Sequence, residues 1–328
     1  MAHPGPGRQT AAVGHRFDVV SIGRAGVDMY PLESGRVLAD VERFARFLGG
    51  SASNVAAATA RLGHRTALVT RVGDDDFGEF LLHELRRLGV ATDYVQGVPR
   101  SQTPLTFCEL FPPDHFPLYF YAPNAPYFEI APSELDLDEI TAAPVFWSTL
   151  TGMAEEPSRS AHLAAWAARS RREHTILDLD YRDRFWNSSD AARRAAHEAL
   201  QYATIAIGNR TECALVSGWS EPEAAAAWLL EQGVSLAIVK LGPDGVLAMT
   251  ADETVRLPAL RVDVVNGLGA GDAFGGALCH GLLRGWSLTE TVAFANAAGA
   301  LVVTRLACAE AMPSEQEVLE LLSQEAAI

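Results

Sequence analysis

Short apolar runs alternate with alanine-rich helical stretches along most of this chain, and that rhythm restricts its architecture severely. Phe17 to Gly23 reads as a strand, Asn54 to Leu62 as a helix stopped by Gly63, Thr66 to Val72 as a buried strand, and Gly78 to Leu88 as a helix stopped by Gly89. The pattern resumes with strands near Val145 to Ser148, Thr175 to Leu179, Ile205 to Gly208, Leu236 to Val239 and Val246 to Met249, separated by helices such as Ser158 to Arg171 and Pro222 to Gln232. Alternation of this kind implies a mostly parallel sheet with helices on both faces. Two segments, Met29 to Phe47 and Thr103 to Tyr121, lack a helical period and carry alternating or Pro-punctuated aromatic residues. They are expected to be strands inserted between core elements, forming a small sheet at the carboxyl ends of the core strands. Such a sheet serves as a lid over a ligand crevice, as a rigid subunit interface, or as both.

The 328 residues suit one large α/β domain, here residues 17–323, with lid strands inserted around 29–47 and 101–122. Residues 1–16 are polar and rich in Gly and Pro, and are expected to be a disordered tail rather than a signal peptide, which points to a cytoplasmic protein. A net charge of -15 excludes a general nucleic-acid binder, although a few local arginines still permit an anionic small substrate. No apolar run reaches membrane-spanning length. Cys108, Cys213, Cys279 and Cys308 lie far apart, without metal-ligand spacing, and read as buried thiols.

The chemistry concentrates in Asn266 to Gly276. Gly269, Ala270 and Gly271 allow successive backbone N–H groups to converge on an anion at a helix start, and Asp272 follows directly. A carboxylate beside an anion cradle is suited to take a proton from a hydroxyl attacking a phosphate, while a simple helix cap is the competing role. Gly23 to Asp28 lacks the glycine spacing and following helix of a dinucleotide fingerprint, so Asp28 is better read as a carboxylate that accepts hydrogen bonds from substrate hydroxyls. Gly49 and Gly50 open a second glycine-rich turn, and Asn54 offers an amide to a polyol. Asn209 and Glu212 share one side of a helical turn, fit either for water-mediated contact with magnesium or for a capping box. Lys240, the only lysine, ends an apolar run and is either a solvated strand end or a cation for phosphate.

Taken together, Gly49 to Asn54, Asn209 to Glu212 and Asn266 to Gly276 resemble the ordered motifs of the ribokinase-like, or PfkB, carbohydrate kinases. The resemblance covers nearly the whole chain from Phe17 onward. It implies a ribokinase-like three-layer α/β/α sandwich with a small β-sheet lid, and ATP and Mg2+ as cofactors; the aromatic strands of the lid sheet separately lead to the expectation of a homodimer through it. By that resemblance Asp28, Gly49, Gly50 and Asn54 hold the acceptor, Asp272 is the base, and Gly269, Ala270 and Gly271 form the anion hole. Asn209 and Glu212 match its Asn-x-x-Glu motif and are expected to serve the metal through water, and Asn296 lies at the adenine end of the nucleotide; Lys240 and Gly242 are further expected at the nucleotide, the ammonium neutralising phosphate charge. Gly23 to Pro31, Phe111 to Asp114, Asp178 to Arg182 and Val264 to Gly269 are more similar to members acting on a sugar acid. A carboxylate substrate calls for a planar cation, so Arg24 and Arg182 are expected to clamp it or else to pair with Asp178, Asp180 or Asp183. The alternatives are a family kinase for a neutral sugar, a 2-keto-3-deoxygluconate kinase, and a non-catalytic sugar-binding regulator. Where many members carry Asp-Thr, which helps to hold a monovalent cation in some relatives, this chain has Asn266-Gly267, so a monovalent cation requirement stays open.

Overall fold

The computed structural model describes residues 15–121 and 123–325. Residues 1–14 of the expected tail, and position 122 at the end of the expected lid segment, lie outside that range. The main sheet runs through β1 (Val19–Ile22), β4 (Thr66–Gly73), β5 (Val90–Ala91), β6 (Val95–Val98), β9 (Val145–Thr149), β10 (Thr175–Asp178), β11 (Ile205–Asn209), β12 (Leu236–Lys240), β13 (Val246–Met249) and β14 (Thr254–Leu257). The lid is a separate sheet of β2 (Gly26–Pro31), β3 (Phe44–Gly49), β7 (Leu105–Cys108) and β8 (Leu118–Tyr121), in the order β3-β2-β7-β8.

The main order is β14-β13-β12-β11-β10-β9-β1-β4-β5, with β6 also paired to β4. Pairings from β5 to β12 are parallel, as the alternation requires. The Val246 strand departs from that rhythm. It pairs antiparallel with β12, because the intervening turn Gly242–Asp244 is far too short for a crossover helix.

Two-residue periodicity sends successive side chains to opposite cores. Val20, Ile22, Phe146, Leu177 and Ala206 meet the alanine faces of helices Ser158–Arg169, Ser189–Leu200 and Pro222–Glu231. Val19, Val145, Trp147, Ile176 and Ile207 meet helices Ser51–Arg61, Ala270–Arg284 and Leu288–Val302. The result is the expected three-layer sandwich. Small residues let helices approach closely: a Cβ on Gly276 would lie 2.3 Å from Ala58 Cβ.

Two boundaries differ from expectation in ways that matter for chemistry. The Asn54 helix starts at Ser51, so Asn54 lies in its first turn. The lid begins at Gly26, which puts Asp28 inside β2 rather than at the end of a core strand. Register places Asp28, Phe47, Thr106 and Phe120 in one row across the lid, and Met29, Arg46, Phe107 and Tyr119 in the adjacent row on the opposite face. All four cysteines are free and buried. Among the described residues, no helix is long and apolar enough to cross a membrane.

Candidate active site

Gly269 adopts φ 84° and forms the N-cap of the helix Ala270–Arg284. Its left-handed backbone favours glycine, and packing demands it as well, since a Cβ there would lie 2.8 Å from Cys308 Sγ. A Cβ on Gly271 would lie 3.0 Å from Lys240 Nζ, so the ammonium stands directly against the turn whose N–H groups open the helix. With Gly269 as the cap, Asp272 falls in the first turn and does not cap this helix. Its Oδ1 accepts from Ser51 Oγ at 2.8 Å and its Oδ2 from Asn54 Nδ2 at 2.8 Å. Burial raises the Asp272 pKa above the ordinary carboxylate value, while those two donors pull it back down. The outcome is a fixed carboxylate of enhanced basicity, as a general base requires.

Asp28 approaches the same helix from the lid. A Cβ on Gly49 would fall 2.1 Å from Asp28 Oδ1, so this carboxylate occupies space that only glycine leaves free. Tyr30 donates its hydroxyl to Asp28 Oδ2 at 2.8 Å. Burial pushes the Asp28 carboxyl up to about 7, against the lowering influence of Tyr30 and Arg24. Gly50, at φ 100°, turns the chain past Arg24, whose carbonyl oxygen would sit 2.4 Å from a Cβ. Asn54 serves two sides: its amide N–H holds Asp272, while its Oδ1 is buried without a protein partner and free to accept from a ligand hydroxyl.

Both arginines of the expected clamp pair with Asp180. Arg24 Nη2 donates to Asp180 Oδ2 at 3.0 Å, and Arg182 Nη2 lies 2.8 Å from Asp180 Oδ1. Burial opposes the Asp180 charge, yet Arg182 and Arg24 hold its carboxyl below the ordinary range. The ion-pair alternative is therefore realised for both residues, with capacity left over, because Arg24 Nε and Arg182 Nε are buried without partners. Arg24 also lies 5.9 Å from the Phe120 ring centroid and 5.6 Å from that of Phe185, sandwiched at the lid edge.

On the opposite flank, Asn209 and Glu212 form a complete capping box. Glu212 N–H donates to Asn209 Oδ1 at 2.9 Å, and Asn209 N–H donates to Glu212 Oε2 at 2.7 Å. Glu212 Oε1 lies 3.5 Å from Arg182 Nη1, so little of this carboxylate remains for direct metal ligation. Among the described residues, no group of three or more His, Cys, Asp or Glu side chains is arranged to hold a metal ion. The Asn209–Glu212 pair is thus suited to contact a hydrated ion through water rather than to ligate it directly.

Lys240 is not a solvated strand end. Its Nζ lies 3.9 Å from Asp178 Oδ1. Burial works against the charge, but Asp178, Glu212 and Asp272 outweigh it and keep the ammonium pKa above its ordinary value. Gly242, at φ 62°, opens the following turn with no atom within 4 Å of a would-be Cβ. Asn296 is more remote and donates to Pro258 O at 2.8 Å, one helical turn before Gly299, which packs near the Ala270 carbonyl. Asn266 is buried; its Nδ2 donates to Leu306 O at 2.7 Å and its Oδ1 accepts from Leu268 N–H at 3.0 Å. The neutral amide thus ties its own loop to the Leu306 carbonyl.

Asp180 is at the site as one of the expected ion-pair partners, whereas Ser51 and Tyr30 were not expected there by residue, and of these two only Ser51 carried a readable signal. Ser51 and Asn54 share one helical face once the helix is extended back to the glycine turn.

A buried carboxylate in the first turn of a helix, a glycine turn with an ammonium against it, and a lid carboxylate nearby suit a phosphotransferase with an alcohol acceptor. The pfkB family carbohydrate kinase description matches residues 16–315, and the chain belongs to that family. A 5-dehydro-2-deoxygluconokinase of Shouchella clausii is 30% identical over 318 residues, spanning 95% of this chain and 97% of the relative. One from Listeria monocytogenes is 29% identical, with 94% and 97% covered. In fold, the chain is similar to an E. coli protein described as a ribokinase II and solved in complex with ATP and Mg2+ (TM-score 0.85, 24% identity, 94% of this chain and 99% of the other).

Proposed function

We propose that the protein transfers the γ-phosphate of ATP to the 6-hydroxyl of 5-dehydro-2-deoxy-D-gluconate, a step of myo-inositol breakdown. The observation that carries the phosphotransfer part is Asp272, oriented through both carboxylate oxygens by Ser51 and Asn54 immediately after the Gly269–Gly271 turn. Support for the sugar acid comes from the relatives' names and from Arg24, a buried guanidinium with an unused Nε at the lid edge. In this reading Asp28 and Asn54 Oδ1 hold acceptor hydroxyls, and Asp272 takes the proton of the reacting one. The freed oxygen attacks the γ-phosphorus in line, the bond to the leaving ADP oxygen breaks, and the Gly269–Gly271 N–H groups with Lys240 stabilise the transferring charge. Asn209 and Glu212 would hold Mg2+ through water, and the bound ion would neutralise charge on the phosphates. The loop between β7 and β8 packs onto the glycine turn, since a Cβ on Gly267 would lie 2.6 Å from the Phe116 ring, and in this reading it helps to exclude water during transfer.

The test is ATP consumption with 5-dehydro-2-deoxygluconate, 2-keto-3-deoxygluconate, fructose and ribose. The first is expected to be preferred, and Arg24→Met is expected to raise its KM about tenfold or more, the scale of a charge-assisted hydrogen bond. Preference for fructose or ribose, or an unchanged KM in Arg24→Met, overturns the sugar-acid reading. Because Asn266 is neutral and internally satisfied, rates in potassium, sodium and choline salts at equal ionic strength are expected to agree.

The same reading makes the enzyme cytoplasmic and places a second copy against the outer face of the lid. There Phe44, Phe107 and Tyr121 form an edge-to-face chain with ring centroids 5.3 and 5.4 Å apart, and Tyr121 is 60% exposed. Sedimentation is expected to give a dimer that Tyr121→Glu weakens; a monomer at micromolar concentration removes this interface.

A further inference from the structure

We propose that Tyr30 is a positioning residue for acceptor binding: its hydroxyl fixes the Asp28 carboxylate, and Cys308, packed beneath the anion-binding turn, fixes that hydroxyl. The inference rests on the reading above that Asp28 receives an acceptor hydroxyl.

The geometry is a three-member chain. Tyr30 is fully buried, its hydroxyl lies 2.8 Å from Asp28 Oδ2, and Cys308 Sγ lies 2.9 Å from the same hydroxyl. Burial keeps both the phenol and the thiol protonated, their pKa values standing well above ordinary. Each group then has one hydrogen to give, which sets the direction: the thiol donates to the phenol oxygen, and the phenol donates to the carboxylate. Oδ2 is thereby occupied, and Oδ1, lodged over Gly49, is left for a ligand. Cys308 Sγ in turn abuts Gly269, so the chain joins the acceptor carboxylate to the turn that receives phosphate.

The ionisable groups facing Asp28 are Arg24 from the preceding loop, Asp272 from the Ala270–Arg284 helix, Glu310 from the turn Ala309–Ala311, and Cys108 from β7, besides Tyr30 and Cys308. Asp272 and Glu310 disfavour its ionisation, and Arg24 is the cation that favours it. The Tyr30 donor is therefore a main reason that Asp28 is available as an acceptor near neutral pH.

Tyr30→Phe keeps the ring and its packing and removes only the donor. It is expected to raise the acceptor KM about tenfold, the scale for losing a hydrogen bond to a charged group, while the KM for ATP and kcat change less than about twofold. Activity in kcat/KM for the acceptor falls as pH drops and Asp28 protonates, and without the donor this fall is expected to begin at higher pH. Equal changes in all three kinetic constants, or an acid limb that stays in place, overturn the proposal. Asp28→Asn separates the two levels: an unchanged acceptor KM there refutes the reading of Asp28, whereas a raised KM in Asp28→Asn with none in Tyr30→Phe refutes the role of Tyr30. Thermal unfolding monitors the fold. Should Tyr30→Phe fail to fold, Cys308→Ala removes the outer donor alone, and a stationary acid limb in that variant overturns the chain.

Discussion

Replacing Asp272 by asparagine is expected to lower kcat by on the order of a hundredfold or more, with modest changes in both KM values, because the substitution removes a proton acceptor and little else. The amide has nearly the same shape, the helix start is set by Gly269 rather than by this side chain, and Ser51 and Asn54 remain to orient it. The pH dependence is equally specific. Burial raises the Asp272 pKa, so the base is lost as pH falls through that raised value, and the remaining activity of the asparagine variant should lack that component in kcat. Steady-state kinetics across pH checks both points, and a loss smaller than about tenfold would assign the proton to another group.

Lys240→Met should come second, lowering kcat on the order of a hundredfold, comparable to deleting one donor that stabilises charge in the transition state. Its Nζ lies against Gly271, at the turn proposed to carry the transferring phosphoryl group, and methionine fills the same buried path without the charge. The fold should survive the change. Burial already pushes the Asp178 carboxyl upward against the pull of Lys240, so without the ammonium this acid takes up a proton rather than remaining a buried unpaired charge. Single-turnover measurements with saturating ATP isolate the effect on the chemical step. A variant that loses only ATP affinity would make Lys240 a binding group.

The layered core was legible because its signals are local. Alanine-rich faces at helical spacing and fully apolar strands occur within windows of ten or so residues, as do the glycine turns at Gly49 and Gly269 and the Asn209–Glu212 pair. Where the reading slipped, a longer-range or more subtle cause acted. The Ser51 start of the first helix was hidden by Ser51 and Ser53, small polar residues that favour caps and turns as readily as helix. For Lys240 the choice between a solvated strand end and a cation for phosphate stayed open in the sequence, because the acids that surround its ammonium, Asp178, Glu212 and Asp272, are all distant along the chain. The antiparallel turn of the sheet after β12 lacked any marker except the brevity of its connection.

What the chain determines by itself, then, is the alternation of layers, the two turns where glycine alone fits, and the acid that follows the second of them. Folding in three dimensions decided the rest. Ser51 and Asp272 are 221 positions apart, Arg24 and Asp180 are 156 apart, and Tyr30 and Cys308 are 278 apart. No periodicity or spacing encodes such pairs, because each depends on how two elements dock and on which buried polar atom must be satisfied once water has been excluded.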